Sequence, residues 1–136
     1  MITTMQKNDS IIAILEKLGL RPKVDEDNLV VVRYQSKYIY CMATDEDEDP
    51  YVSMVYPQFT EIEEGEDMLV LAACNKITRE MKMLKTYVDQ NCKSVSAACE
   101  FFFTDKESLE DNIKRSLQML GVARTVFRNT KKELSD

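Results

Sequence analysis

The sequence contains no histidine. That removes Ser-His-Asp and Cys-His nucleophilic catalysis, imidazole proton shuttling and His-ligated zinc or haem. Its glycines, Gly19, Gly65 and Gly121, stand far apart, so no glycine-rich phosphate loop exists. No apolar run reaches the roughly 18 residues a membrane span needs. The opening MITTMQKNDS lacks the basic-then-apolar order of an export signal, and a cytoplasmic location is expected. Cys41, Cys74, Cys92 and Cys99 have no C-x-x-C pairing and read as reduced thiols. Cys99 lies in an alternating apolar pattern and reads as a small buried hydrophobe. With 24 acidic against 18 basic side chains the formal charge is −6. No basic stripe interleaved with aromatics is present, which argues against nucleic acid and against an anionic membrane surface as partners.

What is there suffices for one core. A chain of 136 residues and 15.7 kDa buries about two thirds of its unfolded surface, so a single domain over residues 1–136 is expected. Ile11, Ile12, Leu15 and Leu18 fall at helical spacing after Asp9-Ser10, and Gly19 supplies a stop. Pro22 breaks the pattern, and Asp25 to Asn28 is a turn into the strand Leu29 to Tyr34. Gln35-Ser36-Lys37 makes a hairpin loop to a strand over Tyr38 to Ala43, and Tyr51 to Tyr56 makes a third strand closed by Pro57. Gly65 to Arg79 reads as a helix with Glu63, Glu64, Glu66 and Asp67 at its positive end. Met83 to Val88 is a fourth strand. Val95, Ala97, Cys99, Phe101 and Phe103 mark a fifth by strict alternation. Thr104 with Glu107 forms a capping box for a last helix running to Asn129-Thr130 and fraying through Lys131 and Lys132. The fold class is α+β, in the order α-β-β-β-α-β-β-α, and its first three strands suggest an antiparallel meander.

Chemistry candidates are few. The acidic run Asp45 to Asp49, followed by Pro50, lacks the glycine and the terminal glutamate of a calcium loop and reads as a solvated hairpin tip. The carboxylates between Glu61 and Asp67 have no apolar wall to raise one pKa, so no acid-base pair is expected. No metal, no cofactor and no catalytic residue is assigned, and the protein is read as a non-enzyme.

The informative feature is surplus apolar surface. On the last helix Leu109, Ile113, Leu120 and Phe127 share one side, while Met119, Val122 and Val126 lie roughly 80–140° around from it. On the second helix Leu69, Val70, Ala73 and Ile77 define a face from which Met68 and Leu71 diverge. Met68, Leu71, Met119, Val122 and Val126 are therefore candidates for subunit or partner contact. All six tyrosines fall in predicted strands, and Phe102 points opposite to the Val95–Phe103 set. Tyr40, Tyr56 and Phe102 are the candidates for a half-wet sheet face that dimerises or holds an extended peptide.

The segment ILEKLGLRPKVDEDNLVVVRYQSKYIYCMATDEDEDP, the helix with AACNKITREMKMLKTYVD, and the aromatic strand before the long amphipathic helix together resemble the YbjN-like family. These are small bacterial proteins with the type III secretion chaperone-like fold. The resemblance covers nearly the whole chain and implies a five-stranded, mostly antiparallel sheet with helices mainly on one face, dimeric assembly and no enzymatic activity. Secretion chaperones of that fold are acidic cytoplasmic homodimers that hold a client in extended form, and YbjN-like proteins are described as regulators. The expected function is a chaperone-like or regulatory protein-binding domain that is likewise a homodimer holding a polypeptide client. The alternative is a small-molecule or metal sensor, with its site at Asp45 to Asp49 or in a pocket between the sheet and the last helix.

Overall fold

The computed structural model describes residues 4–43 and 49–135, side chains of Thr4, Met5 and Ala43 excepted. The elements are α1 (Thr4–Lys17), β1 (Lys23–Val24), β2 (Val30–Tyr34), β3 (Lys37–Ala43), β4 (Tyr51–Glu61), α2 (Asp67–Glu80), β5 (Leu84–Val88), β6 (Ser94–Phe102) and α3 (Lys106–Ser135). The strands form one sheet in the order β1-β2-β3-β4-β6-β5, and every neighbouring pair is antiparallel. The α+β class and the antiparallel sheet are as read from the sequence. The sheet has six strands rather than five because β1 precedes the expected first strand. The Asp25 carboxylate closes the β1–β2 turn, its Oδ1 accepting the N–H groups of Asp27 and Leu29 at 2.9 Å each. That reversal lays Lys23 and Val24 beside Val31 and Val30.

Alternation decides which face is buried. Val30 and Val32 on β2, Ile39 and Cys41 on β3, Val52, Met54 and Tyr56 on β4, and Val95, Ala97, Cys99 and Phe101 on β6 join one core with the helices. From α3 that core takes Leu109, Ile113, Leu117, Leu120, Ala123 and Phe127. Helix α3 touches α1, α2 and strands β4, β5 and β6. Its middle approaches the β2–β3 turn so closely that a Cβ on Gly121 would stand 3.0 Å from both Tyr34 Cε2 and Gln35 Oε1. Glycine at a helix centre costs roughly 0.5–1 kcal/mol relative to alanine, and here it is what admits the turn.

Several boundaries differ from the sequence reading, each for a local reason. Helix α1 begins at Thr4, ahead of Asp9-Ser10, and Asn8 Nδ2 donates to the Asn28 carbonyl at 2.9 Å. Helix α3 is capped by Asp105, not Thr104. Asp105 Oδ1 accepts the Ser108 N–H at 2.7 Å, and Ser108 Oγ accepts the Asp105 N–H at 3.1 Å. The same helix continues to Ser135, tied to α2 by the ion pairs Lys131–Glu66 and Lys76–Glu133. Strand β4 does not stop at Pro57. The pairing with β6 shifts register between Tyr56 and Thr60, Gln58 takes φ 47°, and its N–H donates to Ser96 Oγ at 2.8 Å. Proline, lacking an N–H, is accommodated by this bulge.

Candidate functional site

The opposite parity of the same strands builds the outer face. Tyr38, Tyr40 and Met42 project there from β3, Tyr51 and Val55 from β4, and Glu100 and Phe102 from β6, since their neighbours fill the core. The helices pack on the other side, so these rings meet solvent: Phe102 is 66% and Tyr38 58% exposed. Cross-strand pairing sets Tyr40 beside Val31 and Val55, and Val55 beside Ala98. The Tyr51 and Phe102 rings pair at 5.2 Å between centroids.

Two polar regions flank this apolar band. Towards β5 the Tyr51 hydroxyl donates to Glu100, which also pairs with Lys85, and the Lys85 amine lies 5.8 Å over the Tyr87 ring. Lys85 first, then Tyr51, hold the Glu100 carboxyl below its ordinary range. Burial first, then Glu100, pushes the Tyr51 phenol up to about 12. At the other end, the turn from α1 into β1 curls beside β2 and β3 and encloses a groove of about 880 Å³. Its floor includes Val31, Tyr38 and Tyr40, and its rim carries Arg21, Lys23 and Arg33. Among the described residues the ion pairs are Lys17–Glu110, Lys76–Glu133, Lys85–Glu100, Lys114–Glu110 and Lys131–Glu66. None includes the three rim cations.

The backbone fold is similar to that of YbjN from Escherichia coli, described as a candidate transcription regulator. Its crystal structure superposes with a TM-score of 0.65, covering 92% of this chain and 92% of that one at 10% identity. The fold is YbjN-like. No family model matches the sequence, and no curated protein matches it. The likeness to YbjN therefore places the elements and assigns no residue a role.

The candidates singled out from sequence divide. Phe102 and Tyr40 lie on the outer face, and Tyr40 also lines the groove. Tyr56 does not. It is 9% exposed, shares parity with Val52 and Met54, and stacks on Phe59 at 5.4 Å. Phe59 returns to the core because the bulge shifts its parity, and it meets Phe127 edge-on at 5.7 Å. Met119 and Val126 are half-buried against the core. A helix that touches a sheet and two helices has three sides to fill, so much of the second stripe is core contact. Val122, Leu71 and Met68 remain exposed, Met68 at 78%. The groove lies on the side of β2–β3 where Val31, Tyr38 and Tyr40 project, not between sheet and last helix. Of the acidic run Asp45 to Asp49, only Asp49 is among the described residues, and among those residues no three cysteine or carboxylate side chains gather as a metal site. Cys41, Cys74 and Cys99 are buried. Burial pushes the Cys41 and Cys99 thiols up to about 12 and raises that of Cys74, which leaves them poor nucleophiles at neutral pH. No helix among the described residues is long and apolar enough to cross a membrane.

Sequence reasoning missed the groove cations. Arg21 comes from the turn into β1, Lys23 from β1 itself and Arg33 from β2, and pairing of a two-residue strand brings them together. The parity of Arg33 with Val31, opposite to Val30 and Val32, was the signal available.

Proposed function

We propose that this protein is a non-enzymatic binding domain, chaperone-like or regulatory, that acts in the cytoplasm as a homodimer and holds a polypeptide partner on the outer face of its sheet. The observation that carries the reading is the uncovered aromatic band of Tyr38, Tyr40, Tyr51 and Phe102 on a sheet whose other face is closed by all three helices. Contiguous exposed apolar surface on a small domain marks an interaction site. Aromatic rings on a rigid sheet give contact area at little entropic cost. The exposed helix residues Met68, Leu71 and Val122 serve the subunit contact, which leaves the sheet face for the partner.

The test separates the two surfaces. Light scattering after size exclusion over a dilution series reports self-association, and affinity capture with mass spectrometry from the native cytoplasm reports the partner. Tyr40→Ser with Phe102→Ser is expected to abolish capture of one specific partner while the dimer persists. Met68→Asp with Leu71→Asp is expected to dissociate the dimer. Far-UV dichroism is expected to be unchanged in both. Capture that survives the sheet-face pair overturns the assignment of the partner to that face.

A further inference from the structure

The groove at the β1 edge differs in charge from the rest of the molecule. The chain carries −6 overall, yet Arg21, Lys23 and Arg33 converge on one cleft, and no ion pair among the described residues includes them. The cleft is also lined by one acid, Asp25, whose Oδ1 accepts the N–H groups of Asp27 and Leu29. Three cations against one carboxylate leave the cleft net positive, which favours an anionic ligand. Two of the three are arginines, whose planar guanidinium forks grip carboxylates with paired hydrogen bonds. The floor of Val31, Tyr38 and Tyr40 is apolar and aromatic, and about 880 Å³ falls in the upper part of the roughly 300–1,000 Å³ range of ligand clefts.

The second observation is the strand edge. β1 is the outermost strand of the sheet and pairs only with β2, so its side away from β2 is a free strand edge, next to the cleft that Lys23 and Val24 help to line. A strand edge beside side-chain pockets is the geometry that adds an extended peptide to a sheet. A nucleic acid strand makes no use of it, and three cations set in a net-negative surface are few for a phosphate backbone.

We propose that this groove binds an acidic polypeptide segment in extended form, its carboxylates on Arg21, Lys23 and Arg33 and its backbone along the free edge of β1. The proposal rests on the reading that the outer sheet face binds polypeptide, and it names the class of segment bound. Tyr40 belongs to both the groove and the aromatic band, so the acidic segment enters at the cationic end and its apolar residues continue towards Phe102.

The experiment is fluorescence anisotropy on the intact protein with three labelled probes: an octapeptide alternating glutamate and valine, one alternating lysine and valine, and a thymidylate octamer. The glutamate peptide is expected to bind saturably and to weaken as salt rises. Arg21→Glu with Arg33→Glu, and independently Lys23→Glu, are expected to weaken it at least about tenfold. The lysine peptide is expected not to bind. All three cations are exposed, so the variants retain the fold, which a melting curve verifies. Absence of saturable binding by the glutamate peptide overturns the proposal, as does binding indifferent to charge reversal. Tighter binding of the thymidylate octamer, or displacement of the peptide by an equal concentration of citrate, overturns it in favour of another anion. Partner capture that is lost in Tyr40→Ser with Phe102→Ser but kept in Arg21→Glu with Arg33→Glu refutes this inference and leaves the sheet-face reading standing. Capture lost in neither refutes the sheet-face reading itself.

Discussion

Phe101 and Phe102 are adjacent in the chain and stand in opposite worlds. Phe101 is 8% exposed and belongs to the core under the helices; Phe102 faces outward from the same strand. The contrast extends over the sheet. On the inner face each large side chain is enclosed by neighbours on other elements, and the few polar groups are mostly satisfied. Thr86, for example, donates through Oγ1 to the Cys74 carbonyl at 3.0 Å and through its N–H to Thr78 Oγ1 at 2.9 Å. On the outer face Tyr51 and Phe102 meet each other, and Tyr38 and Phe102 stand largely in solvent. Folding accounts for the first set of residues. The second adds little to it, and this is why the outer face is where binding is sought.

Stability measurements test that contrast, and the largest effect is expected on the inner face. Leu120 is fully buried at the centre of α3; Leu120→Ala should cost about 2–5 kcal/mol, from lost transfer energy and the cavity left behind. Phe102→Ser should cost less than about 1 kcal/mol, the worth of one cross-strand ring pair. Chemical denaturation of the two variants checks both. Equal losses would mean that the outer aromatic band is structural and would remove the main support for a binding face.

There are exceptions among the described residues, Lys7 Nζ, Asn8 Oδ1 and Ser116 Oγ each lacking a hydrogen-bond partner, and the longest of these side chains supplies the next effect in size. Lys7 is fully buried on α1, and among the described residues its Nζ has no hydrogen-bond partner. An enclosed polar group without a partner costs roughly 1–3 kcal/mol. Lys7→Met keeps the length of the side chain, so it should raise stability by about that amount, visible as a higher melting temperature. A lower one would show that the amine has a compensating contact.

How much of this was legible in the chain follows from how local each signal is. β6 could be read directly, because alternation of Val95, Ala97, Cys99 and Phe101 is a property of one strand. The helices were legible through apolar spacing, with boundary errors where the cap was Asp105 rather than Thr104. β1 was not legible, since two residues carry no periodicity and their pairing depends on the Asp25 turn. Tyr56 could have been placed in the core from its parity with Val52 and Met54. The position of Phe59 depends on the bulge after Pro57, whose only sequence signal is the proline. At the candidate site, the aromatic residues of the outer face were legible and the cationic rim was not, since three charges from two segments meet only in the folded sheet. Met119 and Val126 show the reverse failure. A stripe that looks surplus on an isolated helix is consumed when the helix touches neighbours on three sides.

The smallest effect is expected at the polar end of the outer face, and it is pH-dependent. The Glu100 carboxyl accepts from Tyr51 and pairs with Lys85, and these partners lower its pKa in the folded protein below the ordinary 4.5. A carboxyl depressed on folding stabilises the native state fully above its unfolded value, and that contribution is lost as pH falls through the lower, folded value. Glu100→Gln should therefore cost less than about 1 kcal/mol at neutral pH, the range for a solvent-accessible pair. The difference from the parent protein should shrink as pH drops below 4.5. The rim cations Arg21, Lys23 and Arg33 have no such carboxylate, so Arg33→Gln should leave stability unchanged across the same pH range. If Arg33→Gln instead shows a pH-dependent loss like that of Glu100→Gln, the rim is held by an internal partner, and the two ends of the outer face are alike in charge pairing.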